Sequence, residues 1–239
     1  LPRLQRFLTE TRFLETGIVM TDLDGTAVHE RDGRVLLSRT MELGLQQVHQ
    51  RGLHVVVNTI RFPLSVMRVF GEEWRRITGS RLHVVSLNGS QIGRIVPAGD
   101  SLAFEEVAAF PLEPSEVNEV LDGVAGMVAN GVDDLLVFFY PRDWRLGERI
   151  WTPDPARVEA VRDKYRSASE VLAGDIDTLR EALLAQSLCM IFLLIDAPED
   201  RRMAYQHTER SRFVTHAGVD KRHGGEAMAG ALGADLSLS

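Results

Sequence analysis

Three short apolar runs constrain this chain more than any other feature. They span residues 17–22, 53–58 and 81–87, and each is almost uninterrupted in hydrophobicity before it meets polar residues. A strand buried on both faces reads this way, because helices cover both sides of a parallel sheet. Helical patterns separate the runs, at 38–50 with Gly52 as a stop signal and at 63–77. An amphipathic helix is expected over 1–16, from the spacing of Leu4, Phe7, Leu8 and Leu14. Strand, helix, strand, helix, strand is the rhythm of an α/β fold, a doubly wound Rossmann-like parallel sheet. Asn88-Gly89 marks a turn after the third strand.

Beyond residue 94 the strands are less uniformly apolar and prolines are more frequent. Helices are expected at 114–127 (with Ser115 as a cap), 155–167, 177–186 and 198–207, and strands at 135–140 and 188–195. Gly174-Asp175 reads as a helix-capping segment, and residues 143–151 as a hairpin. This region is expected to be an inserted α+β cap domain over 95–207. The core is then expected in two parts, 1–94 and 208–239, with a last helix over 223–232.

A net charge of −7 and a pI near 5.5 disfavour a nucleic-acid partner, which needs a basic face. They leave room for a small phosphorylated ligand. Cys189 is the single cysteine, so no disulfide framework can form and a reducing, cytoplasmic location is expected. No apolar stretch approaches the ~20 residues of a membrane helix, so no membrane partner is expected. His54 and His83 lie within strand patterns and read as core or strand-end residues.

Asp22-Leu23-Asp24-Gly25-Thr26 closes the first apolar run. One carboxylate of such a pair can attack phosphorus, and the other can protonate the leaving oxygen and then take a proton from water. A divalent cation would make the like charges tolerable. Gly25 permits a tight backbone whose N–H groups can face phosphate oxygens.

The five residues 22–26 resemble the first motif of the haloacid dehalogenase-like phosphatases. Residues 55–61 resemble the second motif, in the form of the Cof-type, sucrose-phosphatase-like and mannosyl-3-phosphoglycerate-phosphatase-like branch. Residues 87–92 are similar to the Asn-Gly segment before the cap, and Gly218-Val219-Asp220-Lys221 resembles the third motif. The resemblance implies Mg²⁺-dependent hydrolysis of a phosphate monoester, a phosphosugar or similar small metabolite, through an aspartyl-phosphate. Asp22 would be the nucleophile and a Mg²⁺ ligand. Asp24 would be the general acid/base, with its carbonyl on the metal. Thr59, Lys221 and Gly25 would bind the phosphate, and Arg61 and Asn88 would contact the substrate.

Two departures shape the expectations further. Ile60 stands where the family keeps glycine, which implies a reshaped loop. The fourth motif is expected after Lys221 and does not occur before Ser239. A truncated or catalytically degenerate relative, acting as a binding or regulatory module, is therefore the alternative. The first strand would lie at a bare apolar edge, which another chain or a segment beyond Ser239 is expected to cover.

Overall fold

A computed structural model describes residues 2–31, 34–205 and 209–234. It divides into two compact units, one of residues 1–109 with 218–239 and one of residues 110–217. The insertion ends at 217 and not at the expected 207, because residues 211–214 pair in the second unit's own sheet. Ser239 and the side chains of Leu4 and Leu8 lie outside what is described.

The first unit opens with two short helices, α1 (Pro2–Glu10) and α2 (Phe13–Thr16), in place of the single expected helix. Strand β1 (Ile18–Thr21) follows and ends at Asp22. A hairpin comes next, β2 (Val28–Arg31) antiparallel to β3 (Arg34–Leu37). Helix α3 (Arg39–Gln50) is capped by Ser38, whose Oγ accepts from the Met41 N–H at 3.2 Å. Strand β4 (His54–Asn58) leads to Pro63, which opens α4 (Pro63–Val66). A wider π turn at Met67–Gly71 joins α4 to α5 (Glu72–Thr78). Strands β5 (Leu82–Ser86), β6 (Gln91–Ala98) and β7 (Ser101–Ala109) complete the sheet.

The sheet order is β1-β4-β5-β6-β7. The first three strands run parallel, which puts all their C-terminal ends on one edge. β6 and β7 are antiparallel additions. They belong to this sheet, so residues 95–109 sit in the first unit and not in the insertion where the sequence pattern had put them. The β6–β7 register shifts between Ile92 and Gly93, where Val107 is the extra residue and breaks the alternation of β7. Phe70 of the π turn and Trp74 of α5 are buried. Among the described residues β1 pairs only with β4, and Ile18 to Thr21 are half-buried.

The second unit carries α6 (Pro114–Ala129), β8 (Leu135–Pro141), β9 (Arg149–Thr152), α7 (Val158–Lys164), β10 (Glu170–Ala173), α8 (Ile176–Leu184), β11 (Leu188–Ile195) and β12 (Ser211–Val214). Its sheet order is β10-β9-β8-β11-β12. Leu121, Leu135, Phe139, Trp151, Leu179 and Ile191 form the centre of its core. Ser115 does not cap α6. Glu113 and Glu116 form a reciprocal capping box around Pro114 instead, because Pro114 is preorganised for the first helical position. Asp175 caps α8, accepting from the Thr178 N–H at 2.9 Å. The chain returns to the first unit through α9 (Lys221–Ala231). No helix among the described residues is long and apolar enough to cross a membrane.

Candidate active site

The C-terminal edge of a parallel sheet is where strand ends release side chains into loops. Asp22 leaves β1 there, half-exposed. Its Oδ1 accepts from the Leu23 N–H at 2.8 Å, and its Oδ2 lies 3.0 Å from Lys221 Nζ. Lys221 arrives from the far end of the chain as the first residue of α9. Asp220 caps that helix, its carboxylate accepting from the His223 N–H at 2.8 Å. Three local features hold this helix start in place.

The first is glycine packing. Gly89 has φ near +102°, and a Cβ built there would lie 1.9 Å from the Asp220 carbonyl oxygen. A Cβ on Gly224 would lie 2.6 Å from Gly89 Cα. The two glycines thus let the loop after β5 touch the first turn of α9 backbone to backbone. The second feature is Asn58, whose Nδ2 donates to the Lys221 carbonyl at 2.9 Å from the end of β4. The third is the apolar contact of Val56, Val85 and Ile92 with Met228 of α9. Lys221 therefore stands beside Asp22 because the sheet and helix dictate it, not because a flexible side chain wandered there.

Asp24 is two residues beyond Asp22 and is engaged by Arg61. Arg61 Nε donates to its two oxygens at 3.0 and 2.8 Å, and Nη2 donates at 2.6 Å. Arg61 Nη1 also donates to Ser65 Oγ at 3.0 Å, which braces the guanidinium. Gly25 has φ near +70°, as a tight turn requires, but its N–H donates to the Val28 carbonyl at 2.9 Å. That amide is spent inside the turn entering β2 and does not face outward. The expectation of a Gly25 phosphate contact is corrected on that ground.

Thr59 is fully buried. Its N–H donates to the Val85 carbonyl at 2.8 Å, and its Oγ1 accepts from the Arg61 N–H at 3.2 Å. Asn88 follows Leu87, and both have positive φ, 56° and 50°. Non-glycine residues reach that region only when their surroundings enforce it. Here the Asn88 N–H donates to the Thr59 carbonyl at 3.3 Å and the Leu87 N–H to the Arg61 carbonyl at 3.1 Å. These bonds tie the loop after β5 to the loop after β4. Ile60 points its branched side chain partly into solvent, 38% exposed.

The structure thus brings Asp22, Asp24, Thr59, Arg61, Asn88 and Lys221 to one edge of one sheet. Sequence reasoning missed Asn58 as the anchor of α9. It also missed the glycine contact. Gly89 and Gly224 were legible as glycines, but only the fold makes them neighbours.

Hard carboxylate oxygens suit Mg²⁺, which commonly takes one or two carboxylates and completes its shell with water and substrate phosphate. Among the described residues no group of three or more His, Cys, Asp or Glu side chains could hold a metal ion. Asp22 and Asp24 therefore fit Mg²⁺ as a partial ligand set, not as a closed protein cage.

Solved structures share this arrangement of elements. A haloacid dehalogenase-like hydrolase from B. subtilis aligns with a TM-score of 0.62 at 17% identity, over 92% of this chain and 80% of that one. The fold is that of the haloacid dehalogenase-like hydrolases. A subclass IIB sugar phosphatase of that superfamily aligns at 0.60 with 14% identity, over 92% and 78% of the two chains. A phosphatase of the superfamily from Bacteroides thetaiotaomicron aligns at 0.59 with 16% identity, over 92% and 75%. No protein-family model and no curated protein matches the sequence. In this haloacid dehalogenase-like fold, Asp22 stands at the end of the first sheet strand and Lys221 opens the helix that returns to it.

Proposed function

We propose that this chain hydrolyses phosphate monoesters of small polar metabolites, phosphosugars foremost, with Asp22 as the nucleophile. The observation that carries the reading is the 3.0 Å contact between Lys221 Nζ and Asp22 Oδ2, with Asp24 two residues away on the same sheet edge. The sugar phosphatase among the structural neighbours supports the substrate class.

An Asp22 oxygen attacks phosphorus, and the ester P–O bond breaks. Asp24, protonated, gives its proton to the departing alkoxide. Water then attacks the aspartyl-phosphate while the Asp24 carboxylate takes a proton from it. The P–O bond to Asp22 breaks, releasing inorganic phosphate and restoring the carboxylate. Lys221 holds positive charge beside the attacking oxygen and the phosphoryl group, and the buried Thr59 fixes the loop around them. When bound, Mg²⁺ would be held by the Asp22 carboxylate and the Asp24 carbonyl and would neutralise phosphate charge.

Arg61 fits this scheme as a holder of Asp24. Both partners are partly exposed, and an ion pair of that kind is worth only about 0–1 kcal/mol. An incoming phosphate dianion competes for the same fork of donors and frees the Asp24 side chain to turn toward the leaving oxygen.

The test is phosphate release from a panel of sugar phosphates, with Mg²⁺ or with EDTA, for the native protein and Asp22→Asn. Turnover that needs the metal and vanishes in the variant is expected. Turnover that survives Asp22→Asn would overturn the assignment. The Arg61 pairing also favours a second reading, a module that binds phosphate esters without cleaving them. Stoichiometric ester binding with no release from any panel member would select that second reading.

A further inference from the structure

The opposite end of the same sheet carries an arrangement the proposed reaction does not use. A cavity of about 380 Å³ is lined by His49, His54, Trp74, Ser80, Arg81 and His83, among others. His54 begins β4, and along that strand it lies four residues, roughly 13 Å, from Asn58 beside the candidate active site. His54 and His83 meet edge to face, with ring centroids 5.1 Å apart. Arg94 is the direct cross-strand partner of His83. His54, His83 and Arg94 are each two residues from Val56, Val85 and Ile92, which pack together on the α9 side of the sheet. A period of two therefore puts all three on that face.

Among the described residues no acidic side chain forms an ion pair with the cluster. His83 is 4% exposed, and its Nδ1 is buried with no hydrogen-bond partner. Arg94 Nε is buried and unpartnered as well. Glu105 lies across from Arg94 on β7 but is exposed and forms no ion pair with it. Among the described residues neither Arg81 nor Arg94 is in a salt bridge. Buried polar atoms normally find partners, and two orphans on adjacent strands require an explanation.

We propose that His54, His83 and Arg81, which line this cavity, with Arg94 opposite His83 on the next strand, form a second oxyanion site, distinct from the Asp22 site, that takes a phosphate group. The two guanidiniums supply charge and fixed donors, and each neutral imidazole supplies one N–H. The cavity has room for a phosphate with a small organic substituent. A cation is disfavoured, because Arg81 and Arg94 would repel it and the described residues offer no three-ligand set. Burial first, and then the neighbours His54, Arg81 and Arg94, push the His83 pKa down to about 4. A bound phosphate offsets that positive field.

The test follows the imidazole ¹⁵N resonances of Asp22→Asn protein, which cannot turn over substrate in the proposed scheme. Inorganic phosphate and glucose 6-phosphate are titrated separately into low-salt, phosphate-free buffer, with sodium chloride at matched ionic strength as the control. Saturable shifts of His54 and His83 with either ligand are expected, and the more effective ligand identifies whether free or esterified phosphate is bound. Arg94→Met should weaken that affinity about tenfold with an unchanged circular dichroism spectrum. Arg81→Ala, at an exposed position, should weaken it in the same direction. Shifts no larger than those with chloride, or shifts that both variants leave intact, would overturn the proposal.

Discussion

Replacing Gly89 with alanine tests how the fold delivers Lys221. The new Cβ would sit 1.9 Å from the Asp220 carbonyl oxygen and 2.6 Å from its carbonyl carbon. Both atoms are backbone, so no rotamer change relieves the clash. Gly52 is the matched control, because its φ is near +80° and nothing lies within 4 Å of its Cβ position. Gly52→Ala then loses only the left-handed backbone preference, about 1 kcal/mol. Gly89→Ala bears that term plus a forced backbone shift of about 1–3 kcal/mol, for a total of roughly 2–4 kcal/mol. With a urea dependence of about 2 kcal/mol per molar, the midpoint should fall by roughly 1–2 M, against about 0.5 M for the control. Hydrogen exchange read by mass spectrometry should show the extra loss of protection concentrated in α9. Equal destabilisation of the two variants would refute the claim that backbone contact with Gly89 seats this helix.

Three further outcomes are expected. Asn58→Leu removes the donor to the Lys221 carbonyl, and should cost about 1–3 kcal/mol in urea unfolding while lowering phosphatase kcat more than it raises KM. Arg61→Met should free Asp24 yet weaken phosphate capture, raising KM in steady-state assays, and an unchanged KM would argue against a phosphate role for Arg61. Because the folded His83 pKa is near 4 and the unfolded value near 6.5, the unfolded chain binds more protons between them. Stability is thus complete above about pH 6.5 and is lost as pH falls toward about 4, by about 2–3 kcal/mol once solvent in the cavity is allowed for. Urea titrations across that range should show the slope, and His83→Leu should flatten it.

The parallel strands were legible because burial on both faces leaves an unbroken apolar run, as at Val55-Val56-Val57 and Val84-Val85. The order of Asp22, Asp24, Thr59, Arg61 and Lys221 was legible for a related reason, since each lies just beyond a strand or at the start of a helix. β6 and β7 were not legible as part of the first sheet. Gly93, Arg94 and a bulge interrupt their pattern, and β7 alternates weakly through Glu105 and Glu106. The β2–β3 hairpin is too short and polar to stand out. The pairing of Arg61 with Asp24 and the spent N–H of Gly25 depend on where two loops fold back, 37 residues apart for the ion pair. No local pattern encodes that approach. Nor does it reveal that His83 and Arg94 face each other, because strand register is a property of the sheet.

The most direct measurement of the central claim is a rapid-quench experiment on Asp24→Asn protein with Mg²⁺ and 4-nitrophenyl phosphate, whose leaving group needs no general acid. Without its general base, the second half of the reaction should stall. Mass spectrometry should then find phosphate covalently on the peptide containing Asp22, and none when Asp22→Asn is added. Turnover by the native protein with no such adduct in the variant, or an adduct on a different residue, would contradict Asp22 as the nucleophile.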